Sequence, residues 1–223
     1  MRMPHTSTVL KDTNFSFYEN MEIERFQCFA SLIGLQHGKD IDIIYPYIKE
    51  AGHIMEIGSG YGRVLDFLFQ KGYKGKVTAV ERVPQLIEYL AKKFEAEQVE
   101  LLDVDIRDYY ADLKVDHILW LWSGILELTS EEQHEAVSHC YDFLEEGGSL
   151  IIEAPWQSIS KTGRLDEDKK SIKFQTEWGT LNAYFTSLED VQDFAKECGF
   201  KDISYTVYKT DADLERVVYF LKK

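Results

Sequence analysis

His53-Ile54-Met55-Glu56-Ile57-Gly58-Ser59-Gly60-Tyr61-Gly62-Arg63, followed by Val64-Leu65-Asp66-Phe67-Leu68-Phe69, reads as a buried strand, a glycine turn and a helix. Alternating glycines let the backbone turn sharply at a strand end and bring a ligand against main-chain N–H groups, an approach that any Cβ obstructs. A nucleotide-like ligand is the first implication. The dinucleotide fingerprint G-x-G-x-x-G, counted from Gly58, places its third glycine at position 63, where this chain has Arg63. The spacing here is G-x-G-x-G, with Glu56 two residues ahead. A carboxylate repels a pyrophosphate and attracts an ammonium or a sulfonium, so the turn suits a ligand carrying positive charge.

Outward from this turn, short apolar strands alternate with amphipathic helices, which predicts an α/β domain with a parallel sheet covered on both faces. The predicted strands are Ile54 to Ile57, Lys76 to Glu81, Val99 to Val104, Val115 to Trp122 and Ser149 to Ala154. Between them, Tyr61 to Gln70 reads as a helix ending at Gly72, and Pro84 opens another with Leu86, Ile87, Leu90, Ala91 and Phe94 at helical spacing. Thr129-Ser130-Glu131-Glu132 is a capping-box pattern for a third helix, which the sequence predicts to stop at Gly147-Gly148. Beyond Pro155 the rhythm breaks. Gln157 to Lys170 is polar, Ser171 to Trp178 and Thr180 to Phe185 predict a hairpin around Gly179, and Thr186-Ser187 caps a last helix that ends at Gly199. At the other end, Phe15 to Ile33 reads as one aromatic amphipathic helix.

The 223 residues suit one large domain, or one domain with an added lid, and are read as one domain. Lys and Arg total 25 against 39 Asp and Glu, a formal charge of -14, so the average surface repels nucleic acid and anionic membrane. Cys28, Cys140 and Cys198 lack C-x-x-C spacing, which speaks against a disulfide framework and a zinc site and for a reducing cytoplasm. No metal site is expected, since no histidine pair has ligand spacing. With neither a signal-peptide pattern nor a run of roughly 20 apolar residues, the expectation is a soluble cytoplasmic protein.

The turn resembles motif I, E-x-G-x-G-x-G, of class I S-adenosylmethionine-dependent methyltransferases, and the resemblance extends from about residue 40 onward. It implies a Rossmann-like seven-stranded, mostly parallel sheet with helices on both faces and a C-terminal antiparallel hairpin, here Asp202 to Tyr208 and Glu215 to Leu221. It divides the chain into an N-terminal helical lid segment, 1–39, and a methyltransferase domain, 40–223, with a lid or substrate-side insertion at about 156–186. The implied cofactor is S-adenosylmethionine, with S-adenosylhomocysteine as product. Gly58, Ser59, Gly60 and Gly62 would floor its methionine part, and Glu56 would tolerate its charge. Glu81, 21 residues beyond Gly60, would accept from the ribose hydroxyls, with Arg82 next to it, and Trp122 would also contact the cofactor. In Val99-Glu100-Leu101-Leu102-Asp103-Val104-Asp105-Ile106, Asp105 would take the adenine amino group and Ile106 the ring face; Asp105 is equally well placed as a helix N-cap.

Val115-Asp116-His117-Ile118-Leu119-Trp120-Leu121-Trp122 is similar to the family's fourth-strand segment, whose far end faces the reacting methyl. It lacks the Asn/Asp-Pro-Pro-Tyr/Phe signature of nucleic-acid amine methylation and the Pro-Cys pair of carbon-5 cytosine chemistry. Together with the acidic charge, this favours methyl transfer to nitrogen or oxygen of a small molecule. Methyl displacement from a sulfonium needs alignment and dehydration more than acid catalysis, because the leaving group departs neutral. A base is required only when the attacking atom carries a proton. No catalytic residue follows with certainty from the motif; Glu127 is the candidate, and Tyr18, Trp122, Glu127 and Trp156 are the candidate substrate contacts. Two rival readings remain at this level: a catalytically silent cofactor-binding sensor or partner subunit, and an NAD-dependent oxidoreductase. The acceptor and the oligomeric state are not encoded in any motif.

Overall fold

The computed structural model describes residues 12–110, 112–156, 164–165 and 170–223. Its main sheet has seven strands in the order β3-β2-β1-β4-β5-β10-β9. These are β1 (His53–Ile57), β2 (Lys76–Glu81), β3 (Val99–Asp103), β4 (Val115–Trp120), β5 (Leu144–Pro155), β9 (Asp202–Lys209) and β10 (Glu215–Lys222). Strands β1 to β5 pair in parallel, and β10 runs antiparallel to both β5 and β9. The chain moves outward from β1 through β2 to β3 and then returns to β4 on β1's other side, so the order reverses at β1 and β4. Ligands of open α/β sheets bind at that reversal, outside the strands' carboxyl ends.

Alternation along each strand divides the core between the two faces. Met55, Ile57, Ile118, Trp120, Leu150 and Ile152 join one cluster with α6 (Ser130–Phe143) and α7 (Leu188–Cys198). Ile54, Leu119, Ile151 and Val218 face the other way, toward α3 (Lys39–Ile48) and α4 (Arg63–Gln70). Helix α5 (Pro84–Lys93) starts on its proline, as the sequence predicts. Thr129 and Ser187 each complete a capping box, for α6 and α7, and Gly199 closes α7 in the left-handed conformation at φ 89°.

Several boundaries depart from the sequence expectation, among them the following. Helix α6 stops at Phe143 and β5 begins at Leu144, ahead of the glycines. Gly147 and Gly148 instead serve an irregular pairing of β4 with β5, where the Gly148 α-carbon passes so close to Asp116 that a Cβ would lie 2.6 Å from its carbonyl oxygen. Strand β4 ends at Trp120, because Trp122 and Ser123 both take positive φ, 51° and 62°. Strand β3 ends at Asp103. The segment Phe15 to Ile33 is two helices, α1 (Thr13–Glu19) and α2 (Ile23–Leu32), because Asn20 caps the first and Glu22 is extended.

Strands β7 (Ser171–Thr176) and β8 (Gly179–Tyr184) form the hairpin expected around Gly179, joined by β6 (Arg164–Leu165) in a small second sheet. Asn14 of α1 bonds this hairpin on both sides, donating to the Asn182 carbonyl at 2.8 Å and accepting from the Asn182 N–H at 2.8 Å. The rest of the insertion expected at about 156–186, residues 157–163 and 166–169, lies outside the described residues, as do residues 1–11 of the N-terminal segment.

Candidate functional site

The glycine turn leaves β1 at its carboxyl end, with Gly58, Gly60 and Gly62 at φ 71°, 54° and 79°. All three conformations disfavour a side chain, yet the glycines do different work. A Cβ on Gly58 would meet nothing within 4 Å, and one on Gly60 only the Gly58 carbonyl at 4.0 Å, so both face open space. A Cβ on Gly62 would lie 2.6 Å from the Phe94 ring and 2.9 Å from Leu90. Gly62 therefore brings the turn against α5, whereas Gly58 and Gly60 expose main chain.

Glu56 alternates onto the same sheet face as Ile54 and is 3% exposed. Its Oε2 and the Ser59 hydroxyl are both buried without a hydrogen-bond partner among the described residues. Burial pushes the Glu56 carboxyl up to about 8, only partly offset by the Ser59 hydroxyl, which lies near it without a well-formed hydrogen bond, and by the charge of Arg63. Orphaned buried polar atoms are uncommon and call for a partner. Glu81, at the end of β2, reaches into the turn. Its Oε2 accepts from the Gly60 N–H at 2.8 Å, and its Oε1 from the Arg82 and Val83 N–H groups at 2.8 and 2.9 Å. A carboxylate offers about four lone-pair sites, so one remains on the oxygen that faces the turn. Burial raises the Glu81 pKa against those three bonds.

Asp105 caps the short turn Ile106–Asp108 and also binds two guanidinium groups, those of Arg107 at 2.6 and 2.9 Å and Arg82 at 3.1 Å. Its carboxylate is thereby held below the ordinary range despite burial. Ile106 is buried beside Ile57 and Val80 in the core. Arg63, at the position where a dinucleotide site needs glycine, lies buried in a two-pronged pair with Asp40 at 2.6 and 2.9 Å. It ties α4 to α3.

Helix α1 crosses these strand ends. Asp12 caps it and binds Arg82 at 2.8 Å and Arg107 at 3.0 Å, while Gln85 donates to the Tyr18 carbonyl at 2.7 Å. The Tyr18 hydroxyl donates to Glu127 Oε1 at 2.6 Å. Partial dehydration carries the Glu127 carboxyl up to about 7, and burial next to that carboxyl raises the Tyr18 phenol well above its ordinary value. Trp122 meets the edge of Tyr61 at 6.2 Å and lies under the Arg63 guanidinium at 5.5 Å. Of the other tryptophans, the candidate Trp156 stacks on Tyr205 at 5.5 Å, and Trp120 is core, 2% exposed. Among the described residues no group of three or more His, Cys, Asp or Glu is arranged to hold a metal, and no helix is long and apolar enough to cross a membrane.

Residues 54–148 match the methyltransferase domain family, and they contain the glycine turn, Glu81, Asp105 and Glu127. Over this stretch, somewhat under half of its length, the chain is similar to methyltransferase domains. A curated relative, malonyl-[acyl-carrier protein] O-methyltransferase from Paenibacillus sp. (strain JDR-2), is 26% identical over 102 residues, which is 44% of this chain and 37% of that protein. The match thus spans just over a third of the relative's length. Among solved structures, the 1,6-didemethyltoxoflavin-N1-methyltransferase of Burkholderia thailandensis superposes with a TM-score of 0.66 at 13% identity, covering 90% of this chain and 82% of that one. An amino pentose methyltransferase from Micromonospora echinaspora, solved with S-adenosylmethionine bound, gives 0.62 at 15% identity over 89% of this chain and 98% of that one. These structures share the fold.

The residues present fit this family's cofactor. Open main chain at Gly58 and Gly60, an unpaired acid and hydroxyl beside it, and a lone pair of Glu81 facing the turn are what an amino-acid sulfonium nucleoside requires. Several groups that hold the site together escaped the sequence reading. Asp12 and Arg107 complete the ion network, and their signal was an N-cap acid before an aromatic helix and a basic residue two beyond Asp105. Glu153, Arg216 and Tyr208 form a buried cluster under Ser123: Tyr208 donates to Glu153 at 2.7 Å, and Arg216 pairs with Glu153 and donates to the Ser123 hydroxyl at 2.6 Å. Its signal was a charge inside each of two apolar runs, Ile151-Ile152-Glu153-Ala154 and Arg216-Val217-Val218.

Proposed function

We propose that this protein moves the methyl group of S-adenosylmethionine onto a nitrogen or oxygen of a small molecule. The single observation that carries the reading is the pair of orphaned polar groups, Glu56 Oε2 and Ser59 Oγ, buried beside main chain that Gly58 and Gly60 leave uncovered. When bound, the cofactor supplies a methyl group on a positively charged sulfur, which is activated without help from an acid.

The chain's own residues then have separable tasks. Glu56 and Ser59 bind the amino-acid end, and the positive charge arriving there offsets the cost of ionising a buried carboxyl. Glu81 accepts from the ribose hydroxyls with its remaining lone pair. Ile106 packs against the adenine. Asp105 orients that wall through Arg82 and Arg107, and contacts the adenine amino group only if one guanidinium shifts. Helix α1 and the β7–β8 hairpin cover the strand ends and exclude water, which strengthens every electrostatic contact beneath them. The acidic average surface supports a small acceptor over nucleic acid.

Calorimetric titration with S-adenosylhomocysteine tests the reading. Micromolar binding is expected, and Glu81→Ala should weaken it by about 1 to 3 kcal/mol, the range for charge-assisted hydrogen bonds. Unchanged affinity in that variant removes Glu81 from the site, and no binding to the wild-type chain removes the reading.

A further inference from the structure

The assignments above use Glu56 and Glu81 for the cofactor and leave the Glu127 carboxyl without a partner of opposite charge in close contact. Its Oε1 accepts from Tyr18 at 2.6 Å, and its Oε2 stands 3.9 Å from the nearest guanidinium nitrogen, on Arg82. Arg82 is itself committed to Asp12 at 2.8 Å and Asp105 at 3.1 Å. The other inward-facing cations are committed too: Arg63 to Asp40, Arg107 to Asp105 and Glu132, and Arg216 to Glu153. An anionic acceptor would therefore meet, among the described residues, guanidinium groups that already face carboxylates. A cationic one meets a carboxyl whose single guanidinium neighbour, Arg82, stands at 3.9 Å and is held more closely by Asp12 and Asp105. From Tyr18, which bonds that carboxyl, runs a chain of ring contacts, with Tyr18 stacked on Phe26 at 5.6 Å, Phe26 near Tyr61 at 6.3 Å and Tyr61 edge-on to Trp122 at 6.2 Å. Aromatic faces beside a carboxylate are the recognition chemistry of ammonium groups.

We propose that the methyl acceptor is an amine that enters as its ammonium ion, bound by Glu127 and Tyr18 among these rings, with Glu127 as the base that frees its lone pair. The proposal rests on the methyltransferase reading and narrows it to nitrogen. The Tyr18 hydroxyl donates to Glu127 and keeps lone pairs that accept from an N–H of the acceptor. The ammonium gives one proton to the Glu127 carboxylate and becomes a neutral amine. The amine's lone pair forms the new N–C bond as the C–S bond of the methyl donor breaks, and the bonding pair leaves on sulfur as a neutral thioether. The product nitrogen carries the positive charge, and the proton on Glu127 returns to water when α1 opens.

The groups that face Glu127 set the pH response. Tyr18 from α1, Arg82 at the end of β2 and Asp12 at the α1 cap surround it, with Glu81 beyond. Since its carboxyl ionises near pH 7, ammonium binding should strengthen from about pH 6 to about pH 8, as long as the amine itself stays protonated.

The test holds the protein saturated with S-adenosylhomocysteine and titrates benzylamine and benzoate by calorimetry. Benzylamine should bind with affinity that rises over that pH window, and benzoate should not compete. Glu127→Gln should weaken benzylamine by about tenfold or more and flatten its pH dependence, and Tyr18→Phe should weaken it less. A melting curve with cofactor product present checks that each variant is folded. Benzoate binding as tightly as benzylamine, benzylamine failing to bind the loaded protein, or equal benzylamine affinity in folded Glu127→Gln would each overturn the proposal. Failure of S-adenosylhomocysteine to bind is seen first and removes the methyltransferase reading together with this one.

Discussion

At the scale of single residues, the glycine turn separates two demands that one motif conceals. Gly58 and Gly62 share the left-handed backbone, at φ 71° and 79°, so alanine at either carries a conformational cost of about 1 to 2 kcal/mol. Only at Gly62 does the added carbon collide, 2.6 Å from Phe94. Gly62→Ala should therefore lower the melting temperature more than Gly58→Ala, while Gly58→Ala should weaken S-adenosylhomocysteine more for its smaller loss of stability. Melting curves and titrations of both variants check the pair. Glu56 gives a second expectation. Its folded pKa, about 8, lies above its ordinary value near 4.5, so the stability linked to its bound proton is fully present below the lower value and lost as pH rises through the upper one. Between about pH 6 and about pH 9 the ligand-free wild type should lose ground to Glu56→Gln, whose amide never ionises, in paired thermal melts. A gap that stays constant across that range would mean that Glu56 is not the titrating group. Motif spacing marked these residues as a candidate cofactor turn. It did not reveal the charge state of Glu56, which depends on how completely neighbouring strands exclude water.

At the scale of elements, the polar contacts that hold helix α1 include the Asp12 ion pairs, the two hydrogen bonds between Asn14 and Asn182, Tyr18 on Glu127 and Gln85 on the Tyr18 carbonyl. Its seven residues are too few to persist as a helix alone, so its position depends on these anchors. Asp12→Asn, which removes the charge and leaves the cap, should speed amide exchange in α1 and leave β1 protected. Exchange mass spectrometry checks this, and equal exchange in both proteins would show that the ion network does not hold the helix. The sequence carried the helix periods, the two capping boxes and the Gly199 stop. It misplaced the end of α6 because Gly147-Gly148 is a strong helix stop in isolation, and the close approach of Gly148 to Asp116 is a tertiary fact that outranks it. The break between α1 and α2 was missed for the related reason that Asn20 and Glu22 do not forbid a continuous helix; packing of the buried Met21 sets the bend.

For the whole molecule, seven strands in the order 3-2-1-4-5-10-9 bring the carboxyl ends of β1, β2 and β4 to one crevice. That arrangement explains why residues as far apart as Glu56, Glu81 and Glu127 meet there; its parallel strands were legible from the alternation of apolar strands and helices, and its antiparallel end from the family resemblance. Both α1 and the β7–β8 hairpin fall in segments expected as lids, but the contacts that join them, Asn14 with Asn182, were not legible, since they link parts of the chain far apart in sequence. A ligand that binds only the folded chain stabilises it by about 2.7 kcal/mol at a hundredfold excess over its dissociation constant, so S-adenosylhomocysteine should raise the melting temperature and NAD should not. The most direct measurement is a crystal structure of the protein grown with S-adenosylhomocysteine. The account expects the amino-acid end against Gly58, Ser59 and Glu56, and the ribose hydroxyls on Glu81. Adenosine lodged elsewhere, or an empty glycine turn at saturating ligand, would contradict it.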